Sequence, residues 1–569
     1  MNTFLRLLIA LVTMAAFISA TNFGIINLDD NFYVVERAEF YSVKWAFTWI
    51  GDAMWTPLTW LSYWLDRSLF GEQWSFYHWH NIILHTLSSI VLFEVLRKIF
   101  QPKDLPKLFL IAAFTMLWSI LPLRVESVVW VAARKDCIST LFFLLALWAW
   151  LGMRSSWGVA VSVLLMIVGG LAKASVMVFP AFALTIDWLI TGKRRHWLSY
   201  VVITLISVAF ALEAQWAQEA GGACQLKEFV PYWYNFLNAF CALTIYIGNF
   251  FDPSNLAFQC TIRYPALPRF SWVGLAALAA AAYYIGKIAY TSVKDMKLPT
   301  GSTWAGVALF LISILPFLGF SPFGQHAFAD RFTVLPTLGL SISGYMLVAD
   351  LISGLNAMPK AIVCASATAA IALLAVLTHR QCGFWENDST LFERTLAVDG
   401  QLNGNAYDEL VQYHYEFTHD YQQICKYGKH LIGGSEWQQL TSASLGPILV
   451  EAAYEIGDRE LARDFDAWQY RYGSKCLERL QRDDPRIGRL AGIEYSEIIR
   501  LAYTDGQMEL AREKFKAADR AFNDSAVKRN LRYILARRAG EDFPIGDLYI
   551  PDGKCYLKNR WALNAAYAR

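Results

Sequence analysis

"FLNAFCALTIYIGNFF", residues 236–251, is apolar and aromatic enough to enter a bilayer, and whether it crosses one fixes the sidedness of everything after it. Charge is the arbiter. With this stretch not counted as a span, the loops near 97–107, 154, 193–195, 287–297 and 360 share one side and carry 12 Lys/Arg. The opposite loops, roughly three times as long in total, carry 11. Positive charge concentrates on the cytoplasmic side of membrane proteins. The segment 236–251 is therefore read as an interfacial or re-entrant helix, and "GKRR" (192–195) with Lys287, Lys294 and Lys297 as cytoplasmic.

The remaining apolar runs fall near 3–20, 82–96, 108–121, 137–152, 157–171, 175–190, 198–214, 272–286, 303–320, 332–350 and 361–378. These predict about eleven membrane helices, several of them shorter than the ~20 residues a straight span needs. Composition agrees: of 569 residues, 56% are hydrophobic and 17% charged, with 22 Trp, 27 Tyr and 37 Phe. A water-facing globule could not cover that much apolar surface. A formal net charge of +2, with no Lys/Arg-rich tail, gives no field suited to nucleic acid.

The run 3–20 has the plan of a secretory signal, with Arg6 near its start, an apolar stretch after it and "ISA" preceding Thr21. Read as a retained anchor, it places Asp29 and Asp30 outside the cytoplasm. A first external loop (21–81) follows. From about 380 charges become dense, which predicts a membrane domain (1–380) and a soluble helical domain (381–569) on the side of the two aspartates. Within the latter, "AAYEIGDRELAR" (452–463) and "LAYTDGQMELAR" (501–512) align at a spacing of 49 and read as degenerate tetratricopeptide (TPR)-like helical hairpins. The nine cysteines include no C-x-x-C pair and no zinc spacing. Pairing among Cys224, Cys260, Cys382, Cys425, Cys476 and Cys555 is left open.

The non-cytoplasmic loops collect a chemical set: Asp29 and Asp30; Arg124, Glu126, Arg134, Lys135 and Asp136; Lys173; and Gln325, His326, Asp330 and Arg331. Adjacent acids at a membrane boundary can take a proton or hold a cation, and clustered Arg/Lys can hold phosphate. Each has an ordinary reading. "DD" is usually a solvated turn, Lys173 can snorkel to headgroups, and Arg134, Lys135 and Asp136 can be a local ion-pair network. His78, His80 and His85, at helical spacing among aromatics, read as an amphipathic face and not as metal ligands.

In order along the chain, "NLDDNFYVVER" (27–37), "TPLTWLSYWLDRSLFGEQWSFYHWHNIILH" (56–85), "LPLRVESVVWVAARKDCISTLFFLLAL" (121–147), "LAKASVMVFPAFALTIDWL" (171–189), "YIGNFFDPSNLAFQC" (246–260) and "LPFLGFSPFGQHAFADRFTVLPTLGL" (315–340) resemble the transmembrane and tetratricopeptide-repeat-containing protein family and its bacterial relatives. The resemblance implies an all-α, polytopic membrane protein of the GT-C glycosyltransferase fold. It also implies transfer of a sugar from a polyprenyl-phosphate-linked donor to a hydroxyl, here Ser/Thr of an exported protein, on the exoplasmic face. On that likeness Asp29 is the base, Asp30 its partner, and Glu126 a third catalytic acid. Arg124, Arg134, Lys135, Lys173 and Arg331 contact the donor phosphate, with Asp136, Gln325, His326 and Asp330 as further candidates.

A divalent cation, Mg or Mn, would use Asp29, Asp30 and Glu126. Membrane lipids and the polyprenyl carrier are the expected partners, with the repeat domain holding a polypeptide acceptor. The likeness places the chain in a bacterial inner membrane with site and repeats in the periplasm. Two departures stand out. Relatives carry "HPLHVE" where this chain has Leu121–Glu126 with neither histidine, and Lys173 is followed by Ala174 and Ser175. Competing readings are transfer to a lipid or glycan, a flippase for lipid-linked sugars, and a noncatalytic anchor for the repeats.

Overall fold

The computed structural model describes residues 1–26, 28–36, 42–48, 54–153, 155–220, 231–258, 260, 303–320, 327–353, 357–400, 403–434 and 445–468, with residues 276, 279, 283, 287, 509, 510, 512 and 513. Among these the secondary structure is helical, with no strand. The chain divides into two compact units, Met1–Arg394 and Thr395–Arg569. Gln325, His326 and all but three residues of the repeat at 501–512 lie outside the described residues, as do Cys224, Cys476 and Cys555. Cys260, Cys382 and Cys425 carry free thiols.

In the first unit the main helices are α1 (Asn2–Phe17), α2 (Pro57–Phe70), α3 (Trp74–Phe100), α4 (Leu105–Ser119), α5 (Arg134–Gly152), α6 (Ser156–Gly170), α7 (Trp197–Ala220), α8 (Tyr232–Phe251), α9 (Trp304–Ile314), α10 (Pro336–Ser353) and α11 (Ala357–Gly383). Among the described residues five helical stretches are long and apolar enough to cross a membrane: Asn2–Asn22, Val131–Gly152, Trp197–Gln218, Pro336–Ser353 and Met358–Gly383. The chain is thus a membrane protein. A sixth crossing is available if α4 and Pro122–Val129, bent by 53°, count as one broken span. The bend has a local cause: Leu121, before Pro122, takes an extended conformation at φ −62°, ψ 131°, as a residue preceding proline prefers. Several expected spans are shorter or interrupted. Ser156–Gly170 and Trp304–Phe317 are short, and the expected span at 175–190 is divided into 3-10, α and π turns around Pro180. The segment 236–251 lies within the continuous helix α8.

The core of this unit is apolar and aromatic. Phe143 and Trp150 of α5 pack edge-on to Phe179, and Phe143 also to Phe182, at centroid distances of 5.0–6.1 Å. Some polar side chains inside it are paired: Thr13 donates to Ser119 Oγ at 3.0 Å, and His85 Nε2 to the Ser119 carbonyl at 2.8 Å. His78 meets the Gly24 carbonyl and His80 the Asp66 carboxylate, so the histidines brace the first loop and the α2–α3 hairpin. Asp187 accepts from Trp150 Nε1 and Tyr200 Oη, a structural acid as its position at a helix end suggests.

In the second unit, α12 (Gly404–Tyr413) and α13 (Tyr421–Ile432) pair as a hairpin, and α14 (Gly446–Glu455) packs on α13. The turn inside "AAYEIGDRELAR" reads directly from sequence. Gly457 takes φ +78°, a left-handed value favouring glycine, and Asp458 caps the next turn by accepting from Leu461 N at 3.0 Å.

Helices α9 and α10 approach closely because glycines face each other. A Cβ at Gly306 would lie 2.3 Å from the Gly339 carbonyl oxygen, and one at Gly339 2.4 Å from that of Gly306. Small residues permit such contact between membrane helices. Gly339→Val forces the pair apart and costs about 1–3 kcal/mol or more. The thermal midpoint in detergent falls, while Gly383→Ala, where a Cβ meets nothing within 4 Å, leaves it unchanged; equal midpoints for the two variants exclude this packing.

Candidate functional site

The chain from Leu121 to Asp136 folds back at one end of the bundle as two short helices, Val125–Val129 and Val131–Ala133, running into α5. Every residue of it is buried. Its two arginines that sequence assigned to phosphate have partners within the protein. Arg124 is fully buried, donating to the Trp118 carbonyl at 3.2 Å, to Thr333 Oγ1 at 3.3 Å and to Thr337, with the Trp118 ring over its guanidinium. Arg134 is equally buried. It pairs with Asp66, donates to Asn81 Oδ1 at 2.9 Å and to the Tyr77 carbonyl at 3.1 Å, and lies against the rings of Tyr63 and Tyr77. These are braces: Arg124 ties this segment to the start of α10, and Arg134 ties the start of α5 to α2 and α3.

The two aspartates of the first loop are unlike each other. Asp30 is 1% exposed, and its two oxygens accept from the backbone amides of Ile26 (3.1 Å) and Ala132 (2.5 Å). Burial pushes its carboxyl up to about 7, against the two amides that favour the ionised form. It fastens the loop to the turn before α5. Asp29 is only partly buried and lies within reach of the charges of Lys135 and Arg331.

Three cations arrive here from three segments, and two of them, Lys135 and Arg331, lie within reach of the Asp29 charge. Lys135 comes from the start of α5, Lys173 from the end of α6, and Arg331 from the 3-10 turn Asp330–Thr333. Glu126 accepts from both the guanidinium and the backbone N–H of Arg331, the latter at 3.1 Å. Asp136 accepts from Lys173 Nζ at 2.5 Å. Aromatic faces pack against these cations. Trp130 lies 5.8 Å from Lys135 and 5.4 Å from Arg331, Phe332 receives Arg331 and Lys173, and Tyr33 receives Lys135 at 5.4 Å. Among the described residues Lys135 makes no hydrogen bond or ion pair; its ammonium lies over ring faces, with the charges of Asp29 and Asp136 nearby.

Burial would lower Arg331, but Glu126, Asp136 and Asp29 outweigh it and hold the guanidinium above its ordinary range. Asp330, buried and accepting from Asn249 Nδ2 at 3.2 Å, is raised well above a normal carboxyl by burial and by the Glu126 charge.

Asp29, Asp30 and Glu126 come to the site with different commitments. Asp30 is spent on backbone amides and Glu126 on Arg331, and among the described residues no group of three or more His, Cys, Asp or Glu side chains is placed to hold an ion. What sequence reasoning missed is the aromatic shelf of Tyr33, Trp130 and Phe332, and the support of Arg134 by Asp66 and Asn81. Trp130 and Phe332 are each flanked by the charged motifs already singled out, which was the available signal.

No family model matches the chain. It is similar to a Caenorhabditis elegans protein named as a protein O-mannosyl-transferase, at 24% identity over 350 residues, 60% of this chain. The chain spans about half the length of that relative, 48%.

The Asp30 tie makes stability pH-dependent in a stated direction. With a folded value of about 7 against an ordinary 3.8, the native carboxyl holds a proton that the unfolded chain has released between those values. Stability therefore falls as pH rises from about 4 to about 7, by at most ~1.4 kcal/mol per pH unit for one proton, and levels off above. Thermal midpoints across that range for wild type and Asp30→Asn measure it. The variant loses the slope; parallel curves refute the assignment.

Proposed function

We propose that this chain is a membrane glycosyltransferase of the GT-C kind. It transfers a sugar from a polyprenyl-phosphate-linked donor to a hydroxyl, Ser or Thr of an exported protein, at the exoplasmic face, the periplasmic side of a bacterial inner membrane. The observation that carries the reading is Lys135: an ammonium on aromatic faces, with no carboxylate in hydrogen-bond reach among the described residues, beside the less committed of two adjacent aspartates. Such a group suits an incoming anion. The similarity to a protein named as an O-mannosyl-transferase supports sugar transfer to a hydroxyl.

In this mechanism Asp29 accepts the proton of the acceptor hydroxyl as its oxygen attacks the anomeric carbon. The bond from that carbon to the donor phosphate oxygen breaks, and polyprenyl phosphate leaves with the bonding electrons. Lys135, with Lys173 and Arg331 behind it, stabilises the charge gathering on the phosphate, where low dielectric strengthens each contact. Glu126 and Asp136 are positioning residues, holding Arg331 and Lys173 in place. Asp30 sets the backbone that presents Asp29. Trp130 and Phe332 give the sugar an apolar face to lie on. The helical hairpins of the second unit hold the polypeptide acceptor.

Membranes carrying the full chain, supplied with labelled polyprenyl-phosphate mannose and a Ser/Thr-rich peptide, test this. Asp29→Asn lowers transfer by about 10²–10⁴-fold, the range for loss of a general base. Lys135→Met lowers turnover by about 10²–10³-fold, as loss of one preorganised charge contact does. Wild-type rates in Asp29→Asn remove it from the chemistry. Label appearing in lipid or glycan while the peptide stays unlabelled replaces the protein acceptor with those.

A further inference from the structure

The bundle carries a second cationic recess, at the opposite end of α3 and α5 from the candidate site. A cavity of about 590 Å³ opens there, lined by Asn2, Arg97, Lys98, Gln101, Leu108 and Gly152 among others. Its charge balance is positive. Its two charged lining residues, Arg97 and Lys98, are both cations; Arg97 pairs with Glu94 at 2.8 Å, a carboxylate that also accepts from Arg6 at 2.9 Å. Lys98 makes no ion pair among the described residues. Its ammonium lies 4.7 Å from the centre of the Trp148 ring and close over Gly152, where an added Cβ would come within 2.6 Å of Nζ. Gly152 leaves the room that seats it.

The cavity's setting selects the ligand. It lies where membrane-crossing helices end, and the neighbouring turns leave Phe4, Leu7 and Leu105 exposed. A phosphate on an acyl-chain carrier satisfies both halves: the anion meets Lys98 and the free N–H groups of Arg97, and the chains lie along the apolar rim. Basic recesses between helix ends hold lipid headgroups by this combination of point charge and apolar contact. We propose that this recess binds the phosphate of an anionic phospholipid, anchoring the ends of α1, α3 and α5 at the membrane surface opposite the candidate site. A soluble phosphate would share the charged contacts but not the rim.

The test needs no turnover, so it stands or falls apart from the transferase reading. Purified full-length protein in neutral maltoside micelles is titrated separately with dioleoyl-phosphatidylglycerol, dioleoyl-phosphatidylcholine and inorganic phosphate, and bound molecules are counted by native mass spectrometry. Phosphatidylglycerol is retained, and Lys98→Met lowers its occupancy by about five- to tenfold, the order of one basic contact to a lipid phosphate. Lys98→Arg retains it. Gly152→Ala, which keeps every charge and crowds Nζ, lowers occupancy in the same direction and covers the case in which Lys98→Met fails to fold. Equal retention of phosphatidylglycerol by wild type and both lowering variants overturns the site. Retention of phosphatidylcholine at the same strength also overturns it. Lys98-dependent binding of inorganic phosphate as tight as that of phosphatidylglycerol overturns the lipid as the source.

Discussion

The buried pairing of Arg134 with Asp66 is the constraint on which the candidate site depends. A guanidinium with no solvent exposure persists only where its donors are met, and here a carboxylate, an amide oxygen, two carbonyls and two ring faces meet them. Because those partners come from α2 and α3, the arrangement fixes the azimuth of α5 at its first residue. The next positions on the helix, Lys135 and Asp136, are then turned about 100° and 200° away from the brace, toward Asp29 and Lys173 respectively. Removing one partner of such a pair leaves a bare charge in the interior, so the brace resists drift in a way a surface pair does not.

Within the cluster, charge is balanced but not uniformly paired. Asp29, Glu126 and Asp136 face Lys135, Lys173 and Arg331. Two of these anions are committed: Glu126 to the side chain and backbone of Arg331, and Asp136 to Lys173. Lys135 and Asp29 are left as the less constrained members, near one another without a close contact. On the proposed reading this is the useful asymmetry. A cation already locked to a carboxylate would have to break that bond before meeting a phosphate, and the fixed pairs supply orientation without that cost.

Much of the fold was legible because its signals are local. Apolar runs marked the helices, Pro122 the break after α4, and the Gly457–Asp458 turn the hairpin of the second unit. The motifs that converge on Asp29 were legible too, since each lies at a helix end. Which member of a motif turns inward was not. Asp29 and Asp30 are chemically identical in sequence, and what separates them is the pair of amides offered to Asp30, one of them from Ala132, 102 residues on. Arg124, Arg134 and Lys135 likewise differ through Thr333, Asp66 and Trp130, partners no window around them contains. The short runs at 157–171 and 175–190 were legible as such, but not the division of the second into 3-10, α and π turns around Pro180.

The depth of the site follows from α5 itself. All the charges of "RKDCISTLFFLLALWAWLG" occupy its first three positions, and its 19 residues rise about 28 Å, close to the ~30 Å of a hydrocarbon core. A helix so written settles with its charged end at one boundary and Gly152 near the other. Lys135 and Asp136 thereby lie at the level where a lipid-borne phosphate meets the headgroups, a depth at which their charges are costly to bury and strong once buried. The cationic recess at Lys98 occupies the corresponding level at the other end of the same helix. On the two proposed readings, Lys135 on α5 and Lys98 on α3 are phosphate-binding groups a helix length apart, and the register of α5 against α3 sets both at once.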